Sequence, residues 1–149
     1  MKQHLIVVIL GMLPISELRG AIPYGLGCGL SLEKVVALAI LGNFIPVIPL
    51  FLFLKQLLDY LKHWSFGRKM ADWLVHRTLS QSRVVEVYKT LGLLIFVGIP
   101  LPMTGAWTGT MAAVLLGMSF RDCLIGVTGG ILMAAVIVSL VSLGLISLF

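Results

Sequence analysis

Cys123–Phe149, CLIGVTGGILMAAVIVSLVSLGLISLF, carries no charged residue in 27 positions. About 20 apolar residues in a helix cross the roughly 30 Å hydrocarbon core of a bilayer, so this stretch reads as a spanning helix. Val35–Leu54, uncharged over 20 positions, reads the same way. Outward from these two segments the character holds: of 149 residues 59% are apolar and 11% charged, with a mean hydropathy of +1.08. A soluble domain of this size needs far more polar surface to cover its core. The expectation is a single all-α, multi-pass membrane domain over 1–149, in a cell (inner or plasma) membrane. Lys2 and the apolar run Leu5–Met12 resemble a signal peptide, but Pro14, Glu17 and Arg19 follow without a small-x-small cleavage pattern. A similar run, Leu93–Ile99 before Pro100, recurs deep in the chain, so the first run is expected to stay as a membrane segment.

Composition also narrows the chemistry. Cys28 and Cys123 have no CxxC or metal-ligand spacing, and the three histidines are scattered. There is no Walker lysine and no nucleophile elbow. No enzyme activity, metal or cofactor is expected. Most of the net charge of +5 lies between Lys55 and Lys89, where Lys55, Lys62, Arg68, Lys69, Arg77, Arg83 and Lys89 face Asp59, Asp72 and Glu86. The positive-inside rule places this connector, 55–90, in the cytoplasm. Phe66, Met70 and Trp73 fall at helical spacing with Arg68, Lys69 and Asp72 off the stripe, which reads as an amphipathic helix on the anionic inner leaflet or as a solvated loop. Topology accounts for the basic residues, so membrane lipids are expected partners and nucleic acid is not.

The segments flanking the connector match under a shift of 88 residues. Leu13-Pro14 falls on Leu101-Pro102, Gly29 on Gly117, Ser31 on Ser119 and Gly42 on Gly130. Ser16 with Thr104, Leu30 with Met118 and Leu32 with Phe120 are conservative pairs. Residues 1–54 and 91–149 therefore read as two repeats, each an apolar run, a Pro/Gly-rich stretch, a Gly-Ser-like turn and a long helix. Pro14 and Pro23 interrupt the stretch from Leu13 to Pro23, and Pro100 and Pro102 interrupt that from Ile99 to Gly105. Proline removes a backbone donor and clashes with the preceding turn, and ionised side chains such as Glu17 and Arg19 are costly at mid-membrane. Both stretches are expected to be re-entrant, non-helical hairpin tips, tolerated only where protein or a wet cavity satisfies the backbone. One hairpin and one spanning helix per repeat makes the repeats inverted, as in many secondary transporters. Four full spans with parallel halves is the competing topology. The two differ at Arg121, cytoplasmic in the first and external in the second.

The candidate substrate- and proton-binding residues are Glu17, Arg19, Asn43, Thr104, Trp107 and Thr108. An ionisable residue inside a membrane is a functional candidate by default. A carboxyl at Glu17 can exchange protons, and the Arg19 guanidinium can fork onto phosphate or carboxylate. The same two residues can instead be a structural ion pair pinning the tip. Thr104 and Thr108 can bind a ligand or recapture carbonyls freed by proline. Trp107 is a cation-facing ring or an interface anchor. Pro46 and Pro49, after Gly42-Asn43, break or kink the first spanning helix; a break brings Asn43 to the same cavity. The spacings Gly25/Gly29 and Gly105/Gly109 suit close helix packing. Two opened hairpins give a chain this small little protein to bury them with, so a homo-oligomer, most simply a homodimer, is expected.

Glu17-Leu18-Arg19-Gly20-Ala21-Ile22-Pro23 and Ile99-Pro100-Leu101-Pro102-Met103-Thr104-Gly105-Ala106-Trp107-Thr108-Gly109 resemble the paired motifs of the small multi-drug export protein family, over nearly the whole chain. More distantly, the hairpin-plus-helix repeat is similar to that of the DedA (VTT-domain) membrane proteins. The first resemblance implies export of small molecules, which proton coupling at Glu17 would suit. The second implies translocation or scrambling of a lipid headgroup bearing phosphate. A membrane subunit that transports nothing itself is a third reading.

Overall fold

Proline and glycine decide where the helices stop. The structure, a computed structural model, describes residues 2–62, 84–101 and 104–146, and all regular structure among them is helical. The helices are α1 (Lys2–Met12), α2 (Glu17–Gly27), α3 (Leu32–Phe44), α4 (Val47–Lys62), α5 (Val84–Gly98), α6 (Ala106–Leu115) and α7 (Phe120–Ile146). The expected amphipathic helix at 66–73, Pro102 and Met103 lie outside the described residues. Residues 55–62 continue α4, and 84–90 belong to α5, so helix extends into both ends of the basic connector.

Positions 88 residues apart carry the same backbone device. Gly29 has φ 77° and Gly117 φ 66°. At the first, Leu30 N–H donates to the Gly25 carbonyl (3.2 Å) and Gly29 N–H to Leu26 (2.9 Å). At the second, Met118 N–H donates to Ala113 (3.0 Å) and Gly117 N–H to Val114 (3.1 Å). Each is a Schellman cap, which satisfies the last helical carbonyls and needs a left-handed residue that glycine adopts without a Cβ penalty. Gly29 is therefore a cap and has no packing contact, unlike the role its spacing to Gly25 suggests; a Cβ on it meets nothing within 4 Å. Gly25 does pack, with Val35 2.7 Å from where its Cβ would stand.

The stretch from Leu13 to Pro23 is less opened than its prolines suggest. Only residues 13–16 leave the helix, and α2 runs from Glu17 through Pro23. Pro23 offers no N–H to the Arg19 carbonyl one turn back, but its ring lies on an exposed face where it displaces no neighbour. Pro46 does break the first long helix. Ile45 keeps helical angles (φ −50°, ψ −48°), Pro46 gives no N–H to Gly42, and α4 restarts with Leu50 N–H on the Pro46 carbonyl (3.0 Å). Pro49 interrupts nothing, because it sits in the first turn of α4, where no donor is required.

Two segments are long and apolar enough to cross a membrane, Leu32–Tyr60 (29 residues) and Phe120–Leu145 (26 residues). Helices α1, α2 and α6 have 11, 11 and 10 residues. At 1.5 Å per residue each reaches about 16 Å, half the hydrocarbon thickness. Helices α1, α2 and α3 pack on one another, and so do α5, α6 and α7. The halves interlock: α4 packs on α6, while α2 and α3 pack on α7. Glycines set the closest approaches. Ala39 O stands 2.9 Å from the Cβ position of Gly11, and Leu94 O stands 2.9 Å from that of Gly130. Such contact is how helices associate in lipid, where apolar burial gives no preference for protein over acyl chains. The outer face is apolar too: Ile125, Leu132, Val136, Leu140 and Leu143 form an exposed stripe on α7, opposite buried Val127, Ile131, Ala134 and Val138. A stripe of that size suits acyl chains and would be a liability in water.

Candidate functional site

The site lies where the tip of the α1–α2 hairpin meets the tip of the α5–α6 hairpin. Glu17, the first residue of α2, is 6% exposed and holds φ 45°, the only positive φ outside glycine among the described residues. That backbone turns its carboxylate away from its own helix and onto the start of α6. Trp107 N–H faces Oε1 at 3.5 Å, and the Ala106 N–H also points at the carboxylate. The first turn of any helix presents unpaired N–H groups and a partial positive charge, so one hairpin caps the helix of the other. Gly105 is required for this. The Glu17 carboxylate occupies the space a Cβ on Gly105 would take.

Two further bonds cross between the tips. The Arg19 guanidinium donates to the Thr104 carbonyl. The Trp107 indole N–H donates to the Met12 carbonyl at 2.9 Å. Arg19 and Trp107 are themselves 88 residues apart, so equivalent positions of the two hairpins each reach a main-chain carbonyl at the opposite tip. Thr104 Oγ1 lies within bonding distance of the Ile99 (2.8 Å) and Leu101 (2.9 Å) carbonyls and accepts from Leu101 N–H (3.2 Å), recovering backbone groups in a proline-broken turn. Thr108 bonds within its own helix, to the Gly105 carbonyl (3.3 Å). The ring of Trp107 is thus a tie between hairpins, a role neither sequence alternative named.

Asn43, at the end of α3, is 2% exposed, and its Oδ1 has no donor among the described residues. It shares a small cavity of about 10 Å³ with Glu17, Arg19, Thr104, Val97 and Ile131. That is room for about one water molecule. The structure therefore brings Glu17, Arg19, Asn43 and Thr104 together, holds Trp107 at the margin and leaves Thr108 aside. Sequence reasoning read Gly105 only as a close-packing glycine with Gly109 and missed its part beside Glu17, which is to have no side chain. The signal was present, since the shift of 88 sets Glu17 opposite Gly105. It also missed a larger cavity of about 580 Å³ lined by Lys55, Asp59, Lys89, Ser119 and Asp122. There Ser119 caps α7, accepting from Asp122 N–H (3.1 Å) and donating to its carboxylate (2.6 Å).

Among the described residues, regular structure that is helical throughout, two segments of spanning length and an outer face suited to lipid define an all-helical integral membrane protein. The chain belongs to the family described as putative small multi-drug export protein, whose model matches residues 17–137. No curated protein and no solved structure matches it. The matched segment begins at Glu17 and takes in Arg19, Asn43, Thr104, Gly105 and Trp107 as well.

Proposed function

We propose that the protein is a secondary transporter of inverted-repeat type, a proton-coupled exporter of small molecules whose gate is the pair of hairpin tips. The observation that carries the reading is the reciprocal interlock over Glu17 and Arg19: each tip satisfies the backbone of the other, and between them they leave a cavity too small for any substrate. This is the occluded arrangement of a gate. When the tips part, they expose the Glu17 carboxyl, the Arg19 guanidinium, the Asn43 amide and the first N–H groups of α6 to whatever enters.

Re-entrant hairpins and inverted repeats are part of the proposal. The helix lengths support them, as do the exposed apolar side chains at the tips, Ile15 (96% exposed) and Leu101 (54%), which suit lipid rather than water. Ser119 and Asp122 share the 580 Å³ cavity with Lys55 and Lys89, which supports placing the α6–α7 turn on the cytoplasmic side with the connector. Homodimers are proposed to cover the outer sides of the tips. Light scattering in mild detergent tests this, and an active, monodisperse monomer contradicts it.

A lipid-headgroup translocase is the second reading, favoured by a guanidinium at tips whose outer sides face lipid. Purified protein in proteoliposomes under an imposed pH gradient tests both, with small-molecule uptake in one arm and movement of a fluorescent phospholipid in the other. Gradient-dependent uptake supports the exporter, headgroup movement the translocase, and neither a subunit without transport of its own.

A further inference from the structure

We propose that Asn43 is the acceptor for the protonated form of Glu17, so that the carboxyl has two stations: the N-terminus of α6 when charged and the Asn43 amide oxygen when protonated. The inference rests on the proton-coupled reading above and names the partner that reading lacks.

The starting observation is an acceptor with nothing to accept. Asn43 Oδ1 is buried and has no donor among the described residues. Buried polar atoms are nearly always paired, and an exception calls for a reason. None of the donors around the cavity reaches Asn43 Oδ1. Thr104 Oγ1 serves the Ile99 or Leu101 carbonyl, Arg19 donates to the Thr104 carbonyl, and the N–H groups of Ala106 and Trp107 face the Glu17 carboxylate. An ionised carboxylate accepts only; a protonated one acquires one O–H donor. Glu17 lines the same cavity as Asn43, so protonation creates the missing donor within that cavity.

Among the described residues, the groups lining the cavity with Glu17 include no other proton carrier. Arg19 on its own helix keeps its charge at any working pH. Helix α3 presents Asn43, α5 presents Val97, the second tip presents Thr104 and Gly105, and α7 presents Ile131, Ala134 and Val138. The left-handed backbone at Glu17 (φ 45°) suits a residue held in a conformation it would otherwise leave. When the protonated side chain moves to Asn43, it abandons the first turn of α6, and the strongest reason for the tips to stay together is removed. The balance is simple: one proton is bound at Glu17, and it returns to water when the carboxyl resumes its place on α6.

Asn43 is the sole asparagine of the chain, so isotope-labelled asparagine reports on this side chain alone. Infrared difference spectra of the labelled, full-length protein in proteoliposomes, recorded across a pH titration, read both partners at once. The acid carbonyl band of Glu17 is identified by its loss in Glu17→Gln. As that band grows, the Asn43 amide carbonyl is expected to move to lower frequency with the same midpoint. Asn43→Leu, or the smaller Asn43→Ala, is expected to shift that midpoint to lower pH by about one unit, a tenfold loss of proton affinity. A Glu17 band that titrates while the Asn43 carbonyl stays still overturns the inference and leaves proton coupling standing. If Glu17→Gln removes no titrating band, proton coupling at this site fails, and the inference with it.

Discussion

Glu17 and Gly105 make sense only together. A carboxylate can cap a helix in another hairpin only if the backbone it approaches leaves room, and Gly105 supplies that room by lacking a Cβ. Gly105→Ala is therefore expected to push Glu17 off α6 and to reduce pH-driven flux as much as Glu17→Ala does; normal flux in a folded Gly105→Ala protein contradicts the contact. Trp107→Phe keeps the ring and removes the indole donor to Met12. It should cost about 1 kcal/mol of stability, the usual net worth of one hydrogen bond, read as a lower unfolding midpoint in detergent. The sequence made Glu17 and Arg19 visible, because ionisable residues in an apolar run stand out. It could not show what they touch. Their partners are main-chain groups of Thr104, Ala106 and Trp107, and a backbone amide has no letter in the sequence.

Among the helices, punctuation was more legible than conformation. The matched glycines at 29 and 117 anticipated turns, and the structure gives both the same left-handed cap. Gly117→Val should cost about 1–2 kcal/mol, the penalty of placing a side-chain-bearing residue in the left-handed region; Gly92→Val, at an open helical position, should cost less. Reading the stretch from Leu13 to Pro23 as opened backbone overestimated what two prolines do. Pro14 ends α1, but Pro23 falls on an exposed face of α2, where its ring is accommodated and one freed carbonyl is the only loss. At Pro46 the same residue type does break a helix, because there the chain changes partners: α3 packs on α1, α2 and α7, and α4 packs on α6. Proline marks where a helix can yield, and packing decides whether it does.

At the scale of the whole molecule, the described parts of the two halves meet at the tips and through α4 on α6 and α2 and α3 on α7. The membrane class was plain from composition, because 27 uncharged positions leave no other solvent. Topology was not, since a short apolar run reads alike as half a hairpin or as a poor span. Cysteine at Arg121 separates the models: in the re-entrant topology it resists impermeant reagent applied outside intact cells, and strong external labelling would favour four full spans. The proposal at the centre is that parting of the tips is the gate. With Cys28 and Cys123 replaced, cysteines at Met12 and Trp107 can be joined by a short, reducible thiol crosslinker across the bond the two residues share. In proteoliposomes with an imposed pH gradient and an entrapped pH dye, the joined protein should lose its proton flux, and reduction should restore it. Flux that continues undiminished with the tips locked together would contradict the gate.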